Sequence, residues 1–215
     1  MKEGLTELVF ILDRSGSMSG LEKDTIGGFN STLQKQKGET GEALVSTILF
    51  DNTTEVLHDR IDISKVEPLT DEQYFARGST ALLDAIGGAI HHIGIVHKYA
   101  REEDRPEKTV FIITTDGYEN SSHKYSLQQV RDMIERQQNK YGWEFLFLGA
   151  NIDAIAAARD FGIEESNACN FINDKKGIKL QACCESAFIS NVRNRRKNSR
   201  EWKACLEKDY MERSK

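Results

Sequence analysis

The sequence predicts an α/β protein, a doubly wound and mostly parallel six-stranded sheet with helices on both faces. Three observations carry this. Short apolar runs alternate with segments of helical periodicity, the arrangement that βαβ crossovers produce. Two of the runs, Leu8-Val9-Phe10-Ile11-Leu12 and Val110-Phe111-Ile112-Ile113, have no polar alternation, as strands buried on both faces require. Both lead into polar turns, Asp13-Arg14-Ser15-Gly16-Ser17 and Thr114-Thr115-Asp116-Gly117, suited to loops leaving strand ends.

The elements follow in order. Behind the first strand, residues from about Gly20 to Lys37 carry Leu21, Ile26, Phe29 and Leu33 at spacings of three to five, with Gly38 as a stop signal, which predicts the first crossover helix. Ala43 to Phe50 reads as a second strand. Asp51-Asn52-Thr53-Thr54 turns into a third, Glu55 to Ile61, whose charges suit an antiparallel edge. Beyond an irregular stretch with Pro68, Gly78-Ser79-Thr80 opens a long helix through Ala81, Leu82, Ala85, Ile86, Ala89, Ile90, Ile93 and Val96. Thr109 to Thr115 is a fourth strand, followed by a helix from about Ser126 to Lys140. Strand Phe145 to Leu148 and helix Ile152 to Asp160 repeat the unit, and strand Ala168 to Ile172 and helix Ile178 to Arg193 end it. The helical pairs Gly27-Gly28 and Gly87-Gly88 cost about 1 kcal/mol per glycine relative to alanine, so a close approach of helix to sheet is expected there.

With 215 residues, the chain suits one well-cored domain, expected over 1–195, and a charged, helical C-terminal extension over 196–215. Apolar residues at 39%, charged residues at 29% and two prolines exclude a disordered or fibrous chain. The net charge of -5 argues against whole-surface affinity for nucleic acid or anionic lipid. No apolar stretch is long enough to span a membrane, and the N-terminal run is too short for a signal peptide, so a cytoplasmic location is expected. Cys169, Cys183, Cys184 and Cys205 lack C-x-x-C spacing and are expected as free thiols, mostly buried. His91, His92 and His97 form no H-E-x-x-H pair, and no P-loop, G-x-G-x-x-G or G-x-S-x-G motif is present.

Chemistry concentrates at three places. Asp13, Ser15 and Ser17 form D-x-S-x-S at a strand end, where a tight turn can aim three oxygens at one point; the same residues serve equally well as a helix cap. Thr80 begins a helix and Asp116 ends a strand, so both lie where α/β sheets place their binding sites. Either alone also reads as a cap or turn.

Together, Phe10-Ile11-Leu12-Asp13-Arg14-Ser15-Gly16-Ser17-Met18, Gly78-Ser79-Thr80-Ala81-Leu82 and Ile112-Ile113-Thr114-Thr115-Asp116-Gly117 resemble the von Willebrand factor A domain with its metal-ion-dependent adhesion site, in a stand-alone bacterial-type form. The resemblance covers roughly residues 5 to 190. It implies the sheet order 3-2-1-4-5-6, with strand 3 antiparallel at the edge and the strands ending in Asp13 and Asp116 adjacent at the topological switch point. It also implies that Ser15, Ser17 and Thr80 supply hydroxyl ligands while Asp13 and Asp116 act directly or through water.

Five oxygen donors without histidine or cysteine select a hard cation, Mg2+ first, with Mn2+ or Ca2+ as substitutes. Two carboxylates just neutralise a dication, and an octahedral ion keeps room for an outside ligand. The expected function is therefore metal-dependent binding of a protein partner through its Asp or Glu carboxylate, not catalysis. Arg14, Met18, Tyr118, Glu119, Asn120 and Ser121 are expected on the rim. An alternative is binding of nucleic acid or an acidic partner through the basic segment Arg193, Arg195, Arg196, Lys197, Arg200 and Lys203, with Trp202. Metal-assisted hydrolysis is the least favoured reading, because no general base can be named beside the site. The partner's identity and the oligomeric state are not encoded in any motif.

Overall fold

The first apolar run grows into a 12-residue strand, β1 (Lys2–Asp13), and the rest of the chain is arranged around it. The computed structural model describes residues 1–196 and 200–214. After β1 come α1 (Glu22–Lys37), β2 (Glu42–Phe50), β3 (Thr54–Asp62), α2 (Leu82–Tyr99) and β4 (Pro106–Thr115). They are followed by α3 (Leu127–Tyr141), β5 (Glu144–Ala150), α4 (Ala154–Asp160), β6 (Ala168–Phe171), α5 (Lys175–Arg193) and α6 (Ala204–Arg213). The six strands form one sheet in the order β3-β2-β1-β4-β5-β6, parallel throughout except for β3, which runs antiparallel to β2 at the edge.

Side chains alternate across a strand, so β1 feeds two cores. Leu8, Phe10 and Leu12 enter a core with Phe29 and Leu33 of α1, Phe188 and Ile189 of α5, and Leu206 of α6. Val9 and Ile11 enter the opposite core, with Ile86 and Ile90 of α2, Val130 and Ile134 of α3, and Ala158 of α4. Leu8 to Ile11 are fully buried, which is why the run shows no polar alternation.

The helical glycines are compensated differently from the expectation. A Cβ on Gly28 would sit 3.4 Å from the Cβ of Ala182, so this glycine admits α5 against α1. A Cβ on Gly87 would lie 2.5 Å from the Tyr125 ring, so this one admits an aromatic side chain. Neither approach is to the sheet; Gly27 and Gly88 have open space.

The stretch set apart in sequence as a charged extension is helical over Ala204–Arg213 and is packed onto the domain. Trp202 stacks edge-on against Phe188 at 5.3 Å between ring centroids, and its Nε1 donates to the Ser166 carbonyl at 3.1 Å. The buried Lys203 ammonium donates to the carbonyls of Glu165 and Ala168, both at 2.8 Å, and pairs with Glu207. Helix α6 thereby covers the short edge strand β6. High charge hid this role in the sequence because burial follows one face of a helix, not its average composition. Lys197 of the basic segment lies outside the described residues.

Candidate metal centre

Register brings the two distant carboxylates together. Leu12 of β1 pairs with Thr114 of β4, so Asp13 ends its strand level with Thr115, and Asp116 follows immediately. The Asp116 N–H points to Asp13 Oδ2 at 3.4 Å across a sequence separation of 103. Asp13 is held on both oxygens: the Ser15 N–H donates to Oδ1 at 2.7 Å and the Thr115 hydroxyl to Oδ2 at 2.6 Å. The buried Tyr74 hydroxyl donates to the Asp13 carbonyl and fixes the backbone at the same point.

The hydroxyls link the carboxylates. Ser15 Oγ and Ser17 Oγ are 3.0 Å apart, and Ser17 Oγ donates to Asp116 Oδ1 at 2.5 Å. Thr80 arrives on a separate loop just ahead of α2. Gly78 makes that loop possible: its φ of 66° belongs to the left-handed region, and a Cβ there would strike the Asn52 side chain. The Gly78 carbonyl accepts from the Gly16 N–H at 3.1 Å, clasping the Thr80 loop to the serine loop. Thr80 N–H donates to Asn120 Oδ1 at 2.9 Å, and Asn120 N–H returns to the Thr80 carbonyl at 3.0 Å. A Cβ added to Gly117 would lie 3.4 Å from Thr80 Oγ1 and 3.9 Å from Ser17 Oγ, which places both hydroxyls over the same glycine. The five residues Asp13, Ser15, Ser17, Thr80 and Asp116 thus lie together at the carboxyl ends of β1 and β4.

Burial pushes both carboxyls above the usual carboxylate range. For Asp13, hydrogen bonds from Ser15 and Thr115 oppose the rise without cancelling it. For Asp116, the Ser17 hydroxyl opposes the rise while the neighbouring charge of Asp13 adds to it. Among the described residues, no lysine or arginine hydrogen-bonds to either carboxylate. The centre therefore gathers oxygen donors and negative charge without a protein cation. It also includes a buried, unpartnered amide oxygen, Oδ1 of Asn173, whose Nδ2 donates to Asp116 Oδ2 at 2.9 Å. Oxygen-only chemistry of this kind fits a hard divalent cation.

The rim differs from the expectation. Arg14 is fully buried and faces away from the centre: its Nε donates to Asp51 Oδ2 at 2.9 Å and its Nη1 to Glu55 at 2.7 Å. Asp51 also accepts from Arg77 Nε at 2.7 Å and from Thr53, and its carbonyl accepts from the Ala81 N–H. Burial pushes the Asp51 carboxyl up, but these donors, Arg77 foremost, hold it below its ordinary value. This ionic knot ties the serine loop to the segment before α2. Met18 is likewise buried. Glu119 accepts from the N–H groups of Leu83, Ser121 and Ser122, so it binds the first turn of α2 to its own loop. Tyr118 and Asn120 are exposed and remain available at the rim, whereas Ser121 is half-buried and its hydroxyl oxygen is turned out of solvent.

Sequence reasoning passed over Asn173, Tyr74, Asp51 and Thr115. Asn173 follows β6 at the sheet's carboxyl end, and that position was the available signal. Tyr74, in an irregular stretch, offered none.

No family model matches the sequence, and no curated protein matches it. Solved structures do. The chain is similar to the PilB minor pilin from Streptococcus sanguinis, in its D319A mutant, with a TM-score of 0.59 and 9% identity over 87% of this chain and 62% of that one. It is similar to proximal thread matrix protein 1 from the mussel byssus, with a TM-score of 0.56 and 14% identity over 87% of this chain and 46% of that one. It is also similar to von Willebrand factor type A from Catenulispora acidiphila, with a TM-score of 0.53 and 14% identity over 85% of this chain and 42% of that one. The chain thus spans between 42% and 62% of the length of these three proteins. With the sheet order, these likenesses show a von Willebrand factor A-like fold.

Proposed function

We propose that the chain is a divalent-cation-dependent protein-binding module. The observation that carries this reading is the meeting of Asp13 and Asp116 with the Ser15, Ser17 and Thr80 hydroxyls, an all-oxygen set with two buried carboxylates and no protein cation. Asp13, Ser15, Ser17, Thr80 and Asp116 would hold Mg2+, with Mn2+ or Ca2+ as substitutes. When bound, such an ion supplies an open position for an outside carboxylate from an Asp or Glu of the partner. Tyr118 and Asn120 then contact that partner, while Arg14, Met18 and Glu119 keep the loops in place.

Binding is favoured over catalysis because, among the described residues, the groups hydrogen-bonded to the two carboxylates are hydroxyls, an amide and backbone N–H groups, none of them a general base. The basic-segment alternative is weakened by the same kind of accounting. Arg193 donates to the carbonyls of Gln36 and Gly41, Arg195 pairs with Glu3 and Glu107, and Trp202 and Lys203 are buried.

The test is calorimetric titration of the metal-stripped chain with Mg2+, beside Asp116→Ala. One site per chain is expected, and the variant should bind at least about tenfold more weakly, about 1.4 kcal/mol, while remaining folded. A folded Asp116→Ala that binds Mg2+ like the parent would overturn the assignment. For the partner, capture from native lysate with Mg2+ or with chelator should yield proteins seen only with Mg2+ and lost with Asp116→Ala.

A further inference from the structure

Two thiols that the candidate metal centre does not use lie against each other where α5 meets α6. Cys184 is buried on α5, and Cys205 is in the first turn of α6 with its residue exposed. Their sulfurs are 3.0 Å apart, inside ordinary non-bonded sulfur contact, while the residues are 21 positions apart in sequence. From this geometry we infer that Cys184 and Cys205 are a disulfide-forming pair that fastens α6 to α5 when the protein meets an oxidised low-molecular-weight thiol.

The chemistry needs one exposed and one shielded sulfur, and the structure supplies both. The Cys205 thiolate, open to solvent, attacks one sulfur of a small disulfide RSSR and releases RS–, leaving a Cys205–SR mixed disulfide. Cys184 Sγ then attacks Cys205 Sγ and displaces the second RS–, which takes up the Cys184 proton. Two protein thiols and RSSR become one protein disulfide and two RSH, with no other electron donor or acceptor. Cys184 is buried, so a bulky reagent does not reach its sulfur and it reacts only with a mixed disulfide formed beside it; burial also pushes its thiol up, favouring the protonated form that gives its proton to the departing RS–. Cys169 is buried on β6 and its thiol donates to the Asn170 carbonyl at 3.3 Å, while Cys183 is exposed on α5; neither has a sulfur partner among the described residues.

The bond joins elements that matter to the fold. Helix α6 presents Leu206 to the core, and the turn before it presents Trp202 to Phe188. At its far end, Arg213 pairs with Asp174, the residue that caps α5 through the Gly177 N–H. A crosslink near the start of α6 therefore restrains the whole helix. In a reducing compartment the pair stays open and α6 is held by packing, ion pairs and hydrogen bonds; under oxidation the attachment becomes covalent. This inference does not depend on what the metal centre binds.

The full-length reduced protein is equilibrated in oxidised and reduced glutathione at graded ratios, thiols are trapped by alkylation, and peptides are mapped by mass spectrometry. Expected are a Cys184–Cys205 linked peptide, a fall from four alkylated cysteines to two, and amide exchange over Ala204–Arg213 slowed by about tenfold or more. Cys205→Ser, at an exposed position that tolerates substitution, should show neither the link nor the slowing. Cys183→Ser should behave like the parent. A stable glutathione adduct on Cys205 without the link, a Cys169–Cys205 link in its place, or a link that leaves α6 exchange unchanged would each overturn the inference.

Discussion

Glu185 sits on α5 where it faces α1, buried, with its carboxylate accepting from Gln181 Nε2 at 2.5 Å and with Thr32 of α1, whose hydroxyl donates to the Ala182 carbonyl, close by. Burial outweighs the favourable influence of Gln181 and Thr32 and pushes its carboxyl up to about 8, against an ordinary value of 4.5. At neutral pH the native protein therefore holds a proton that the unfolded chain releases. Rising pH draws the equilibrium toward the unfolded chain from about 4.5 until the native group ionises near 8. Each pH unit in that window costs about 1.4 kcal/mol, so by pH 7 the penalty reaches about 3 kcal/mol. Glu185→Gln removes the titration and keeps an amide oxygen to accept from Gln181. Urea unfolding of parent and variant should give equal stabilities near pH 4 and a variant more stable by up to about 3 kcal/mol at pH 7. Taking the difference cancels Asp13 and Asp116, whose raised carboxyls titrate in both proteins. A difference that does not change between pH 4 and pH 8, or a variant less stable at pH 7, would refute the reasoning.

Arg14→Ala is expected to destabilise the fold by about 3 kcal/mol, the lower end for a broken buried pair, because Arg77 still pairs with Asp51; a rim residue would change denaturant unfolding by less than about 0.5 kcal/mol. Trp202→Ala should cost about 3 to 5 kcal/mol in the same assay, since the indole is buried against Phe188, whereas an indole on a free extension would cost nothing measurable. Asn173→Ala should weaken Mg2+ binding by calorimetry less than Asp116→Ala does, because it removes a donor to the carboxylate and not the carboxylate itself. An equal loss in the two variants would mean that Asn173 does more than orient Asp116.

The sequence by itself determined the alternation of strands and helices, the doubly buried central strands and the position of D-x-S-x-S at the end of the first. These properties are local: strand and helix periodicities repeat within a few residues, and two-sided burial removes polar alternation from a run such as Leu8 to Leu12. Joining Asp13 to Asp116 and Thr80 required the resemblance of three separate motifs, since no local pattern spans such separations. Only the tertiary structure decided the fate of single polar residues. Arg14 stands in the middle of the motif, yet it is buried because Asp51, 37 positions away, lies within reach of its guanidinium. Asn173 joins the centre because β6 ends at the same edge of the sheet as β4, and Trp202 enters the core because α6 folds back over β6. Whether a charged or aromatic residue outside a periodic element faces water or the interior depends on the partner that the finished fold brings to it, and that partner leaves no mark on the neighbouring sequence.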